Sequence, residues 1–586
     1  MPDRQNTYSL GLGKTLYHSS VSLLELKEGQ IRPEATLVLS ERLSRKKNSG
    51  SWPTEPLRKI LPHLDLTTTS IAENRDVLHP KVHEEQLNTV LPFFESLQQN
   101  GLAHFSSHFN SAVQFVPHHL CHAMAAVHMS PFAKALIVVI DGAGTAKKDF
   151  SEGFQNEGQL STATEDGSVR DPNEEISVYL FDQNEGKAQL VCQKKNWRSF
   201  VKSHSVATKT WSEGLGIFYE TASEFIFNCN QSSGKVMGLA PFGEAVNLPG
   251  SRTDFLESLP WKERSFQGGG KKAWENHPHL QDYKNLAATV QGEFERFLFP
   301  FVQALRSEYP EYENIILTGG CALNCTFNGK LVRQGLFNEV YVPPFPGDES
   351  ISLGAAAYLH YILENQDWHP LVHEQQHGYL GATESNPTAE DILRIFEGFE
   401  IARPAAITEH VANLLQQGEV IAWFQGRSEA GPRALGNRSI LARPDQPGLK
   451  DRLNANIKFR EAFRPYGASC LFEKAGEYFE IPENFNSPYM SFAIPVKVQH
   501  KITLKEVTHV DGTCRFQSVR SGQNKKFYEL IKCFGDKTGL YCLLNTSLNV
   551  MGEPIIETAE DARRFLLQTP VHGLAIGDYY IQKVKS

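Results

Sequence analysis

The chain has 586 residues, of which 40% are hydrophobic and 21% charged, so it is too long for one hydrophobic core and ordinary in composition for a folded protein of at least two domains. Its formal net charge of −9 argues against general binding to a nucleic-acid backbone, which draws its affinity from clustered Lys and Arg. There is no run near the ~18 apolar residues of a bilayer span, no export signal in MPDRQNTYSLGLGKT and no C-x-x-C pair among the nine cysteines, which predicts a cytoplasmic protein without membrane or nucleic-acid partners, disulfide framework or structural zinc.

The first runs, YSLGLG, VSLLELKEG and EATLVLS, alternate apolar residues between glycines and predict successive strands of one sheet. In PHHLCHAMAA, Pro117 to Ala126, His118 and His122 are four apart, so a helix points both imidazoles to one side as two ligands of one divalent ion require, while His119 points elsewhere. ALIVVIDG is continuously apolar and predicts a strand buried on both faces. It ends in Asp141, at the carboxyl end where α/β sheets bind ligands.

Residues 145–175 are acidic, Ser-rich and Gly-rich and predict a long surface loop; ISVYLFDQNEGKAQLVCQ then predicts a hairpin. Helical periodicity marks GLGIFYETASEFIFN, NLAATVQGEFERFLFPFVQALRSEY and SLGAAAYLHYILEN. Between the last two, NIILTGG predicts a buried strand, and PPFPGDES places Asp348 just before a helix. Two His and two Asp suit Fe(II), Zn or Mn alike. The turns around Gly142 and Gly144, around Gly319, Gly320 and Asn324, and at Gly347 let backbone N–H groups approach phosphate oxygens, and together they resemble the nucleotide clasp of the actin and sugar-kinase fold. Cys321 and Cys325 are expected to be small packing residues.

Polar, His-rich texture between residues 365 and 386 predicts a boundary between domains 1–370 and 385–586. Strands alternating with helices predict an α/β architecture before it, and GLYCLLN and AEDARRFLLQ predict α+β after it. No internal repeat is visible. The second part gathers Arg427, Arg433 and Arg438, then Lys458, Arg460 and Arg464, then His509, Arg515 and Gln517, then Asn545, Ser547 and Asn549. Guanidinium groups in Gly/Pro-rich loops suit multivalent phosphate binding, because Arg offers a bidentate fork.

From these residues the chain is seen to resemble the NodU/CmcH family of O-carbamoyltransferases. KVMGLAPFG, GGCALNCTFNGKL, PFPGDESISLGAA, LNTSLNVMGEP and above all GRSEAGPRALGNRSILA, together with the HHxxHA segment, carry the resemblance nearly end to end. It implies a two-lobed actin/sugar-kinase-like N-terminal domain and a YrdC-like C-terminal domain. It implies that carbamoyl phosphate and ATP, with Mg as companion, become carbamoyl adenylate on the second domain. The carbamoyl group would then pass to a hydroxyl of a small-molecule acceptor beside a metal, Fe(II) foremost, on the first. By the same resemblance His118, His122, Asp141 and Asp348 are the metal ligands and Arg427 and Arg515 the catalytic phosphate-side contacts. Lys458, Arg460, Arg464, Asn545 and Ser547 are their neighbours, His18 in LYHSSVSLLE faces the acceptor hydroxyl, and a homodimer is compatible. Two places depart from the family's pattern: Thr145 after the Asp-Gly-x-Gly turn, and Ser233-Gly234-Lys235 before Val-Met-Gly-Leu-Ala. The alternatives are a threonylcarbamoyl transferase acting on tRNA, a sugar-type kinase and a non-catalytic nucleotide-binding scaffold.

Overall fold

The computed structural model describes residues 7–584 except 16–17, 29, 48–51, 65–68, 76–96, 99, 103–112, 146–172, 199–213, 249, 260–265, 267–269, 372–377 and 382–386. The first sheet holds β1 (Thr7–Lys14), β2 (Ser19–Leu26), β3 (Glu34–Leu39), β4 (Thr69–Arg75) and β5 (Gln114–Pro117), in the order β3-β2-β1-β4-β5. β1, β2 and β3 pair antiparallel, and β4 and β5 add in parallel on the other side of β1. The second sheet holds β6 (Lys134–Ile140), β7 (Asn173–Asn184), β8 (Lys187–Arg198), β9 (Asn314–Thr318) and β10 (Glu339–Tyr341), in the order β10-β9-β6-β7-β8. Its pairing repeats the first: an antiparallel meander β6, β7, β8, then β9 and β10 parallel beyond β6. The architecture is thus doubled although the residues show no repeat, and this is the two-lobed α/β fold of the actin and sugar-kinase type.

The helices His118–Met129 and Ile351–Tyr358 lie between the two sheets and share one core with them. Because side chains alternate along a strand, Ile137 and Val139 of β6 face these helices, while Leu136, Val138 and Ile140 face Leu215–Phe227 and Leu280–Glu308 on the far side. That double burial explains the unbroken apolar run. The inner helices meet at van der Waals contact with backbone: a Cβ on Gly354 would fall 1.8 Å from the Cys121 carbonyl oxygen, and one on Gly11 would fall 1.9 Å from that of Ser352. The periodic stretch SLGAAAYLHYILEN is not one α-helix; it ends as α at Tyr358 and continues as a π-helical turn over Leu359–Leu363.

The C-terminal part forms one nine-stranded mixed sheet. Its strands are β11 (Glu400–Ala402), β12 (Ile421–Phe424), β13 (Arg438–Ala442), β14 (Gly467–Leu471), β15 (Ala493–Pro495), β16 (Thr513–Val519), β17 (Cys542–Ser547), β18 (Gly573–Ile576) and β19 (Tyr579–Gln582). They run in the order β11-β19-β18-β12-β13-β17-β14-β16-β15, with parallel pairs only at β12–β18 and β14–β16. Arginines fasten this part to the first lobe. Arg42 donates to the Gly431 carbonyl, and Arg45 to those of Pro554 and Ile555. The second lobe touches it too: Asn328 Nδ2 donates to the Ser491 carbonyl, and Lys235 pairs with Glu461.

All nine cysteines are free, and among the described residues no helix is long and apolar enough to cross a membrane. The expected loop 145–175 lies almost wholly outside the described residues.

Candidate active site

The helix expected over the histidine segment starts at His118, immediately after β5. Its first turn is tied to the second lobe: the His118 backbone N–H donates to Thr145 Oγ1 at 2.9 Å. Thr145, one of the two departures from the family pattern, therefore fixes where this helix begins. His118 and His122 are 2% and 0% exposed, and their Nε2 atoms stand 3.2 Å apart. Asp141 Oδ2 lies 3.0 Å from His118 Nε2 and 3.2 Å from His122 Nε2; Asp348 Oδ1 lies 3.5 and 3.7 Å from the same atoms. One ligand atom from each of the four residues falls within 4.8 Å of all the others. Two imidazole nitrogens bound to a common ion at ~2.0–2.1 Å stand a little over 3 Å apart, so the spacing fits a divalent cation.

The surrounding hydrogen bonds aim these atoms. Asp141 Oδ1 accepts the backbone N–H groups of Gly142 at 2.8 Å and Gly320 at 3.2 Å, which leaves Oδ2 for the cluster. Ser350 Oγ donates to the Gly347 carbonyl at 2.8 Å and so offers a lone pair to His122 Nδ1 at 3.2 Å. A proton on Nδ1 leaves Nε2 bare, the tautomer a metal ligand needs. Burial works against ionising either aspartate, yet the adjoining His118 and His122 imidazoles hold the Asp141 carboxyl well below its ordinary value and Asp348 below its own.

His119 points away, as expected: its Nδ1 meets Ser177 Oγ at 2.7 Å, and burial holds it neutral. The glycine turns border the cluster. Gly319 has φ +88°, and a Cβ there would lie 2.3 Å from the Ile140 carbonyl oxygen. Gly144 packs against His119 and Glu174. Asn324 is spent internally: it caps the Cys325–Gln334 helix and bonds to Gln291.

His18 lies in the turn between β1 and β2, whose end packs against Asp348–Ser350. Burial pushes up the carboxyl of Glu349, 6% exposed, which lies in that segment. The same carboxylate opposes, in part, the burial that depresses Arg433 of the C-terminal part.

The arginines fall into two groups. Arg438, fully buried over the Phe424 ring at 3.5 Å, donates to the carbonyls of Gln425, Gly426, Asn437 and Glu557. Arg427, expected among the phosphate contacts, donates to the carbonyls of Gly381 at 2.6 Å, Ala35 at 2.9 Å and Leu380 at 2.9 Å and so joins the C-terminal part to β3. Arg433 and Arg515 are different. Neither guanidinium has a hydrogen-bond partner among the described residues, and Arg515 Nε is buried without one. They lie close enough that burial and then Arg515 push Arg433 down to about 9, and burial followed by Arg460 push Arg464 down to about 10.

Lys458 Nζ is held by Ser547 Oγ and Asn549 Oδ1 and by both their carbonyls, between 2.6 and 3.2 Å. Arg460 lies over Tyr466 and bonds to Asn454. Asn545, central in the sheet, donates to Ser469 Oγ and has its Oδ1 buried without a partner. The structure therefore gathers Arg433, Arg515, Arg460, Arg464 and Lys458 and leaves Arg427 outside that group.

Three participants were not singled out from the residue pattern. Glu429 Oε1 accepts the backbone N–H groups of Leu435, Asn437 and Arg438 at 2.7–3.1 Å and so folds the loop that presents Arg433. Ser350 orients His122. Glu220, on the helix after the Gly214 turn, faces Asp141 and Asp348, and burial together with those charges raises its carboxyl to about 8. An acid in the first turns of a mostly apolar helix was the available signal for Glu220.

The comparisons with known proteins cover most of the chain. A family model described as "Carbamoyltransferase N-terminus" matches residues 88–357, and one described as "Carbamoyltransferase C-terminus" matches residues 412–583. Nodulation protein NolNO of Sinorhizobium fredii is 32% identical over 603 residues, spanning 98% of this chain and 80% of its own length. Nodulation protein NolO of Bradyrhizobium diazoefficiens is 34% identical over 80% of this chain and 78% of its own length. A 3'-hydroxymethylcephem-O-carbamoyltransferase of Amycolatopsis lactamdurans is 33% identical over 60% of this chain and 65% of its own. Among solved structures, HypF of T. kodakarensis superposes with TM-score 0.34 at 13% identity, over 62% of this chain and 49% of its own.

Proposed function

Since the chain belongs to the carbamoyltransferase family, and is on that ground a transferase, we propose that it makes carbamoyl adenylate and passes the carbamoyl group to a hydroxyl of a small-molecule acceptor. The observation that carries this reading is the presence of two centres in one chain: unspent arginines on the C-terminal sheet, and four converging ligand atoms between the lobes. We place the division between domains 1–370 and 385–586.

In the activation step carbamoyl phosphate and water give carbamate and phosphate; a carbamate oxygen then attacks the α-phosphorus of ATP and displaces pyrophosphate. Arg433, Arg515, Arg460 and Arg464 supply fixed positive charge for the polyphosphate as negative charge shifts onto the leaving group. Lys458, anchored by four acceptors, shapes the floor of the pocket. Arg427 serves by holding its loop to the first lobe.

In the transfer step the acceptor hydroxyl attacks the carbamoyl carbon and AMP leaves. The neutral imidazole of His18 takes the hydroxyl proton, a contribution of roughly 10²- to 10⁴-fold. The residues His118, His122, Asp141 and Asp348 hold a divalent ion, Fe(II), Zn or Mn. When bound, the ion supplies Lewis-acid polarisation of the carbonyl or the adenylate phosphate. The glycine turns border the ion site and shape it instead of binding phosphate, because their backbone N–H groups are already spent: those of Gly142 and Gly320 on Asp141 Oδ1, that of Gly144 on the Glu174 carbonyl and that of Gly319 on the Pro346 carbonyl. An acceptor class is suggested by the relatives, one a nodulation protein and one acting on a hydroxymethyl cephem.

Incubation with carbamoyl phosphate and ATP tests the reading: AMP and pyrophosphate are expected, and ADP formed without need of carbamoyl phosphate would refute it. Arg515→Ala abolishes pyrophosphate release, whereas His18→Ala lets adenylate form and blocks its transfer. Equal loss of adenylate in both variants would overturn the division of labour.

A further inference from the structure

The loop that carries Lys458, Arg460 and Arg464 is held from outside its own sheet. Phe463, a buried ring of that loop, stacks on Phe227 with centroids 6.2 Å apart and lies 5.1 Å from Trp274, both residues of the second lobe. Pro465 Cδ comes within 3.4 Å of where a Cβ of Gly238 would stand. Between these apolar contacts is an ion pair: Lys235 Nζ lies 3.0 Å from Glu461 Oε1 and 4.9 Å from the Phe227 ring centroid. The second carboxylate oxygen, Glu461 Oε2, is buried without a hydrogen bond and faces Arg464 at 3.9 Å.

One carboxylate thus stands between two cations from different parts of the chain. The side chain of Glu461 is 6% exposed, so it stays ionised only with a cation beside it. Lys235 holds the nearer oxygen, and Arg464 remains outside hydrogen-bonding distance. A guanidinium forms a bidentate pair with a carboxylate readily, so without Lys235 the carboxylate would take Arg464 for itself.

We infer that Lys235 is a positioning residue for the activation pocket: from the second lobe it occupies Glu461, and thereby leaves the Arg464 guanidinium available to phosphate. The inference rests on the reading of the arginine cluster as a polyphosphate site. Lys235 closes the Ser233-Gly234-Lys235 segment, in which only Ser233 departs from the Glu-Gly-Lys of the family pattern, and it acts across the interface. It also makes the binding pocket of the C-terminal sheet dependent on contact with the transfer lobe.

The test is a calorimetric titration of the full chain with inorganic pyrophosphate. Lys235→Met is expected to weaken binding by roughly tenfold or more, the scale of one charged contact. The double variant Lys235→Met with Glu461→Gln is expected to bind within about threefold of wild type, because a neutral amide does not capture Arg464. A purely structural role for the pair would leave the double variant as weak as the single one, and that result overturns the inference, as does a Lys235→Met variant that binds like wild type. Should Lys235→Met fail to fold, Glu461→Gln alone decides: binding at least as tight as wild type supports the inference, and weaker binding overturns it. Pyrophosphate release by wild type from ATP and carbamoyl phosphate is measured alongside. Its absence, with the binding pattern intact, would strike the proposed reaction and leave the Lys235–Glu461–Arg464 coupling standing.

Discussion

The most direct probe of the ligand cluster is Ser350→Ala. The Ser350 hydroxyl is fully buried and has two bonds, donating to Gly347 at 2.8 Å and accepting from His122 Nδ1 at 3.2 Å. Its removal leaves an N–H of a fully buried imidazole without an acceptor, at about 1–3 kcal/mol. The ring escapes that cost by shifting its proton to Nε2 or by turning, and either change removes a lone pair from the cluster. Converted at about 1.4 kcal/mol per tenfold, the loss in metal affinity is roughly 5- to 140-fold, which spans the roughly 10- to 100-fold typical of outer hydrogen bonds to ligating histidines. Competition between the protein and a chromophoric chelator for Mn(II) or Zn(II) reads that ratio. Ser352→Ala is the control, since Ser352 Oγ bonds to Ser20 and Ser22 and not to the imidazoles; it should leave affinity unchanged. If Ser350→Ala binds metal within twofold of wild type, or if the two variants weaken it equally, the tautomer argument fails.

Glu220→Gln is expected to gain stability over wild type as pH rises in metal-free protein. The Glu220 carboxyl goes from 4.5 to about 8 on folding, so between those values the folded chain holds a proton that the unfolded chain has released, and wild type loses stability across that window while the amide does not. Melting curves at pH 5 and pH 9 check the divergence, and parallel curves refute it. Gly319→Ala forces a side chain into φ +88° and toward the Ile140 carbonyl; a loss of about 2–3 kcal/mol is expected in urea unfolding. Arg427→Ala strips a donor from the carbonyls of Ala35, Leu380 and Gly381, so it lowers stability by about 1–3 kcal/mol. In the folded fraction it weakens pyrophosphate binding less than Arg433→Ala does; the reverse order would return Arg427 to the phosphate pocket.

The ligand cluster was legible in the residues because local rules fix most of it. Four-residue spacing places His118 and His122 on one helical face, and an unbroken apolar run ending in Asp141 announces the carboxyl end of a strand buried on both sides. The arginines were legible only as a set. Whether a guanidinium is spent on carbonyls, as in Arg427 and Arg438, or left open, as in Arg433 and Arg515, depends on how the loops fold around it: Arg438 is held mostly by its own loop, whereas Arg427 meets Ala35 from the other end of the chain. The doubled sheet was hidden for a different reason. A strand such as β1 or β6 needs apolar side chains on a face, not particular ones, so two copies of a topology need share no residues. Ser350 and Glu429 act through hydrogen bonds to ring and backbone atoms, for which a lone residue letter carries no signal.

The backbone contacts at Gly354 and Gly11 bear on how an ion would enter. The helix that delivers both histidines and the helix that follows Asp348 are pressed together with no intervening methyl group, so neither can slide along the other without parting the whole core. In the folded chain the cluster is therefore held rigidly, with its two carboxylates on one small site. Capture of a cation then relieves mutual repulsion instead of ordering loose chain, and a larger ion, such as calcium, would find no slack into which the walls could retreat.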